Sequence, residues 1–137
     1  MPSIHQKMHQ SIEEMLEGEN ADEVIGRIIS QVESHPRGIT LEPDGSEVQV
    51  NKGYLVSLTN NSISYADASV VQAVLRQLQG NPFANYIGAW RSGETKRQYL
   101  DITMHLHCRE DALKIARIYS QEAIYDCTRQ KCLVVRI

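Results

Sequence analysis

Residues 99–107 read Tyr-Leu-Asp-Ile-Thr-Met-His-Leu-His and alternate strictly in character. Leu100, Ile102, Met104 and Leu106 fall to one side and Tyr99, Asp101, Thr103, His105 and His107 to the other, the period-two pattern of a strand covered on one face. Immediately before it, Arg91-Ser-Gly-Glu-Thr-Lys96 is polar and carries a glycine able to take φ > 0, so Tyr86–Trp90 and Arg97–His107 are expected to pair as a hairpin. Immediately after it, Ala112, Leu113, Ile115, Ala116, Ile118 and Tyr119 make an apolar stripe at helical spacing, with Glu110 and Asp111 near the electropositive start of that helix. The local unit is therefore strand, strand, helix, strand. It carries an indole at Trp90, an acid at Asp101 and a helical guanidinium at Arg117.

On the N-terminal side, Gly53-Tyr-Leu-Val-Ser-Leu58 alternates as a strand, and Asn60-Asn-Ser-Ile-Ser reads as a loop of hydrogen-bonding turn formers. Val70, Val71, Val74, Leu75 and Leu78 recur at three- and four-residue intervals, predicting a core-packed helix over 66–78 closed by Gly80 and Pro82. Glu42-Pro-Asp-Gly45 is a turn signal ahead of the short alternating run Glu47-Val-Gln-Val50. Asn20 is placed to cap a helix in which Val24, Ile25, Ile28, Ile29 and Val32 form a wide stripe, stopped by His35-Pro36-Arg37-Gly38. Met1–Gly18 holds Ile4, Met8, Ile12, Met15 and Leu16 at helical spacing; it reads either as an arm docking on a partner subunit or as a surface helix.

Toward the C-terminus, Glu122–Cys127 and Leu133–Ile137 read as strands around a turn at Thr128–Lys131, the last one buried on two faces because its apolar residues are consecutive. The order predicts an α+β fold, an antiparallel sheet with helices packed on one face and extra N-terminal helices. Residues 1–137 are expected to form a single domain, with 1–35 as an N-terminal helical arm and 38–137 as the α+β body.

A hydrophobic share of 42% and a charged share of 23% are those of an ordinary folded domain rather than a disordered chain. The formal net charge of −3 supplies no dominant basic face for a nucleic acid. No apolar run approaches the ~20 residues of a membrane helix and no signal-peptide pattern opens the chain, so a soluble, cytoplasmic protein is expected. Three cysteines, an odd number, favour reduced thiols, although Cys127 and Cys132 flank a turn that a cross-strand disulfide could span.

His105 and His107 share a strand face with Asp101, a pattern compatible with a metal site or with a polar sheet face; a third ligand would have to come from elsewhere. His5 and His9 repeat the pairing at helical spacing. No nucleophile elbow, phosphate-binding glycine loop, paired-acid motif or metalloprotease motif is present, which leaves an enzyme without a named nucleophile or base. A binding protein that needs no cofactor is the expectation. Trp90, Arg91, Arg97, Asp101 and Arg117 together suit a nucleotide-like ligand, since an indole stacks on a base, a guanidinium forks a phosphate and a carboxylate accepts from ribose hydroxyls. The same residues also fit a core tryptophan with arginines in solvent.

The run Gly88-Ala-Trp90, Tyr99-Leu-Asp101, Asp111-Ala-Leu-Lys-Ile-Ala-Arg117 and Gln121-Glu-Ala-Ile-Tyr-Asp126 resembles small phage and prophage proteins, among them the Thoeris anti-defence sponge family. Members of that family sequester cyclic ADP-ribose isomers made by bacterial TIR-domain enzymes. The resemblance spans Gly53 onward and implies a non-enzymatic homo-oligomer, a dimer or larger, that binds a cyclic nucleotide signal in the host cytoplasm and releases it intact. It also implies that Trp90 stacks the adenine, that Arg117 holds phosphate, that Asp101 reads ribose and that Gln121 contacts or supports the ligand; Arg97 stays a candidate donor on its chemistry alone. The alternative expectation is a protein-interaction module, or another phage-encoded inhibitor acting by protein contact, suggested by the amphipathic N-terminal segment and the strand edges.

Overall fold

The chain, seen in a computed structural model that describes residues 12, 16–18, 20–58, 68–91 and 96–135 and the backbone of 59–63, contains nine regular elements over its described span. They are α1 (Ala21–Ser34), β1 (Ile39–Leu41), β2 (Tyr54–Ile63), α2 (Ala68–Gly80), β3 (Tyr86–Arg91), β4 (Gln98–Leu106), α3 (Arg109–Ile118), β5 (Ala123–Asp126) and β6 (Lys131–Val134). The strands form one antiparallel sheet in the order β1-β3-β4-β2-β5-β6, the α+β architecture that the sequence predicts. No helix among the described residues is long and apolar enough to cross a membrane.

The alternation of β4 sorts the sheet into two faces. Leu100 and Ile102 are buried with Ile87 and Ala89 of β3, Leu58 of β2 and the stripes of α1 (Val24, Ile25, Ile28, Val32) and α2 (Val71, Val74, Leu75, Leu78). Burying each such large side chain contributes roughly 1.5–3 kcal/mol. Farther along the same face, Val56 and Ile124 pack on Ala112 and Ala116, whose small size lets α3 lie close to β2 and β5. All three helices thus share one face. Ile12 and Leu16 are helical too, and Ile12 is completely buried in the α1/α2 cluster. Residues 1–11, 13–15 and 19, His5 and His9 among them, lie outside the described residues.

The long partner β4 draws β2 past its predicted end. Residues 60–63, read as a loop, continue the strand and pair as far as Ile63↔Gln98, after a register shift between Ser57 and Thr59. A strand flanked on one side by a nine-residue template satisfies its backbone there, and that outweighs the turn preference of Asn and Ser. Glu47–Val50 does not form the predicted strand, leaving one bridge, Leu41↔Glu47. The edge strand is instead Ile39–Leu41, whose two apolar side chains reach the core while Glu47 stays exposed.

The last strand is not buried on two faces. It ends the sheet with β5 as its one neighbour, and Val134 is 79% exposed, between Leu133 and Val135, which turn toward α3. Consecutive apolar residues here still alternate, because α3 covers only one face of the sheet. Asn20 precedes α1 without a side-chain cap bond. At the β5–β6 turn, burial alone would push the Asp126 carboxyl up, but backbone N–H groups of Thr128 and Arg129 and the Arg129 guanidinium at 3.1 Å donate to it and hold it below its usual value.

Candidate functional site

The face of the sheet away from the helices carries the polar set of β4. Antiparallel register puts Trp90 opposite Tyr99, Gly88 opposite Asp101 and Tyr86 opposite Thr103, so six residues of β3 and β4 form three rungs pointing the same way. Ser57 of β2 pairs with Thr103 from the other side. The Trp90 and Tyr99 rings stack with centroids 4.6 Å apart and planes 19° from parallel. Trp90 remains 41% exposed, so the indole is neither a core tryptophan nor a loose one.

What anchors the indole is Asp101. The Trp90 Nε1–H donates to Asp101 Oδ2 at 3.1 Å, the Thr103 hydroxyl donates to Oδ1 at 2.7 Å, and Ser57 donates a further side-chain bond. The carboxyl is only 3% exposed. It reaches that position because Gly88 has no side chain: a Cβ there would lie 2.5 Å from Asp101 Oδ1 and 2.7 Å from Thr103 Oγ1. Desolvation by burial raises the Asp101 pKa from 3.8 to about 7, against the lowering effect of its bonds from Thr103, Ser57 and Trp90. Asp101 therefore changes charge close to neutral pH while sealed from solvent.

The other expected contacts are dispersed. Arg97 is exposed just before β4, two residues from Tyr99, while Arg91 turns its Nε–H onto the Lys96 carbonyl at 3.1 Å and closes the hairpin. Arg117 is exposed in the last turn of α3. Gln121 follows that helix, half-buried, with its backbone N–H on Ala116 O and its side-chain amide donating to Tyr119 O at 3.2 Å. Since α3 packs on the helical face and Trp90 projects from the other, the sheet stands between Trp90 and the helix that carries Arg117, with Gln121 in the loop just past that helix. Within one chain they do not line a common hollow. Asp101, expected to accept from a ribose, already accepts from three donors of its own chain.

The histidine pair meets edge to face, with centroids 4.8 Å apart at 70°. His105 Nε2–H donates to the Lys52 carbonyl at 2.8 Å, which gives that nitrogen a structural partner. Asp101 is not beside them, and no group of three or more candidate metal ligands gathers among the described residues. The cysteines are free thiols; burial first, and the adjacent Asp126 charge second, push the Cys127 thiol up and away from the nucleophilic form.

Tyr99, Thr103, Ser57 and Gly88 complete the arrangement, and sequence reasoning assigned them no role in it. Their signal was the hairpin register: counting back from the turn puts the one glycine of β3 against the one acid of β4. Comparison with protein-family models, curated proteins and solved structures found no match.

Proposed function

We propose that this protein is a binding protein without catalytic activity that captures a planar, nucleotide-like ligand on the helix-free face of its sheet, in the manner of the anti-defence sponge family its sequence resembles. The observation that carries this reading is the Trp90–Tyr99 stack, half open to solvent and pinned through the indole N–H to a buried carboxyl. An aromatic pair held in one orientation offers a stacking surface at little ordering cost. Arg97, exposed beside it, is the nearest of the expected phosphate donors along β4. The proposed cargo is a cyclic ADP-ribose isomer, and the proposed consequence is withdrawal of that signal from a bacterial defence system in the host cytoplasm. Arg117 and Gln121 would join such a site only from a second copy of the chain, so their participation ties capture to a homo-oligomer.

Calorimetry of the purified protein with cyclic ADP-ribose isomers tests the reading. Expected is tight, reversible binding with the ligand recovered intact, and Trp90→Ala weakening it roughly 5- to 150-fold, the equivalent of about 1–3 kcal/mol for one stacked base. Absence of binding by every isomer at roughly micromolar concentration removes the cyclic nucleotide as cargo. A second reading, capture of a protein rather than a small molecule, is favoured by the β6 edge, where Val134 is 79% exposed. Val134→Lys should then abolish partner binding, while Trp90→Ala leaves it unchanged.

A further inference from the structure

The acid beneath the indole has a further consequence. Three donors from three strands converge on Asp101: an indole N–H from β3, the Thr103 hydroxyl from its own strand and the Ser57 hydroxyl from β2. An indole nitrogen can only donate, whereas a hydroxyl can turn and accept. A carboxylate uses all three as donors. A carboxylic acid must place its own proton, and the groups able to receive it are the two hydroxyls. The Trp90 bond survives in both states, but its acceptor changes from a charged oxygen to a neutral one, and charge-assisted hydrogen bonds are about twice as strong as neutral ones.

We infer that Asp101 is a proton-controlled latch on Trp90, a positioning residue whose carboxylate clamps the indole against Tyr99 and whose acid form loosens it. The neutral-range titration of this carboxyl puts the change of hold within the span of cellular pH. Among the described residues, Arg97 stands exposed just before β4, and β1, the other neighbour of β3, is flanked by Arg37 and Glu42. β3 contributes Tyr86, whose phenol is raised by burial and then by Glu42; β4 contributes Tyr99 and, two residues beyond Thr103, His105; the β2 residues 54–63 carry no ionisable group other than Tyr54, which lies on the helical face. His105 is thus the neighbour that a control variant must remove. The latch itself needs no ligand. Its effect on capture rests on the function proposed above.

Trp90 is the single tryptophan of the chain, so intrinsic fluorescence reports on the latch directly. The emission and acrylamide quenching of the full-length protein are to be followed from pH 5 to 9, in the wild type, in Asp101→Asn and in His105→Gln. The expected result is a one-proton transition with its midpoint near pH 7, with greater quenching on the acid side. That transition should persist in His105→Gln and vanish in Asp101→Asn. If Asp101→Asn does not fold, the carboxyl carbon resonance of Asp101 in the wild type serves instead, with the same midpoint expected. A flat wild-type profile, a transition that disappears with His105, or an Asp101 resonance that titrates near 4 would overturn the inference. Because none of these readouts contains a nucleotide, a failed latch and a failed ligand assignment are told apart.

Discussion

Replacing Asp101 by asparagine should make the protein more stable at alkaline pH, although it removes an acceptor of three hydrogen bonds. In the folded state the carboxyl titrates at about 7, against 3.8 as its ordinary value. Between those limits the native chain keeps a proton that the unfolded chain has released, so stability falls as pH rises. The contribution is fully present below about pH 4 and lost once pH has passed through the folded value near 7. At about 1.4 kcal/mol per pH unit, the total is on the order of 4 kcal/mol. Asparagine resembles the protonated acid, since its carbonyl can accept from Trp90 while its amide donates to Ser57 or Thr103, whose hydroxyls can turn. The assay is urea unfolding followed by circular dichroism at unit steps from pH 4 to 8, for wild type and variant together. Near pH 4 the two should agree within about 1 kcal/mol, the worth of one hydrogen bond. Their difference should then grow in favour of the variant to roughly 4 kcal/mol by pH 8. A difference that stays constant with pH, or a variant less stable at pH 8, would refute the reasoning about how Asp101 is buried.

Gly88→Ala should lower stability by about 2–3 kcal/mol, because the added Cβ would lie 2.5 Å from Asp101 Oδ1 and force the carboxyl off the indole. A double-mutant cycle with Asp101→Ala should return a coupling on the order of 1 kcal/mol or more, and strict additivity would contradict the contact. Ile12→Ala should cost about 2–4 kcal/mol by chemical denaturation, since that side chain is completely buried against α1 and α2; a surface position would lose almost nothing.

The fold was legible where burial imposes a period. Leu100, Ile102 and Met104 against Tyr99, Asp101 and Thr103 announce a strand covered on one side, and the stripes of α1, α2 and α3 announce the helices that cover it. Local preference misled where a neighbouring strand outbid it. Residues 60–63 carry turn formers yet lie along β4, and Glu47–Val50 alternates yet gives up the edge position to Ile39–Leu41. The polar cluster was legible in part. Trp90 and Asp101 were both singled out, but as separate ligand contacts rather than as donor and acceptor to each other.

What the amino-acid order determined by itself is everything that depends on near neighbours: which residues share a strand face, which helix flank is apolar, and that the chain holds one indole. What only the tertiary structure decided is which side of the sheet each element occupies and how deeply each group lies. Arg117 sits at an ideal helical position, yet α3 must put Ala112 and Ala116 against Val56 and Ile124, and that packing leaves the guanidinium across the sheet from Trp90. Asp101 sits on the polar face of its strand, yet the gap left by Gly88 lets it sink under the indole. Periodicity is a property of one segment. Burial and facing are properties of segments meeting, and the charge state of Asp101 follows from the meeting.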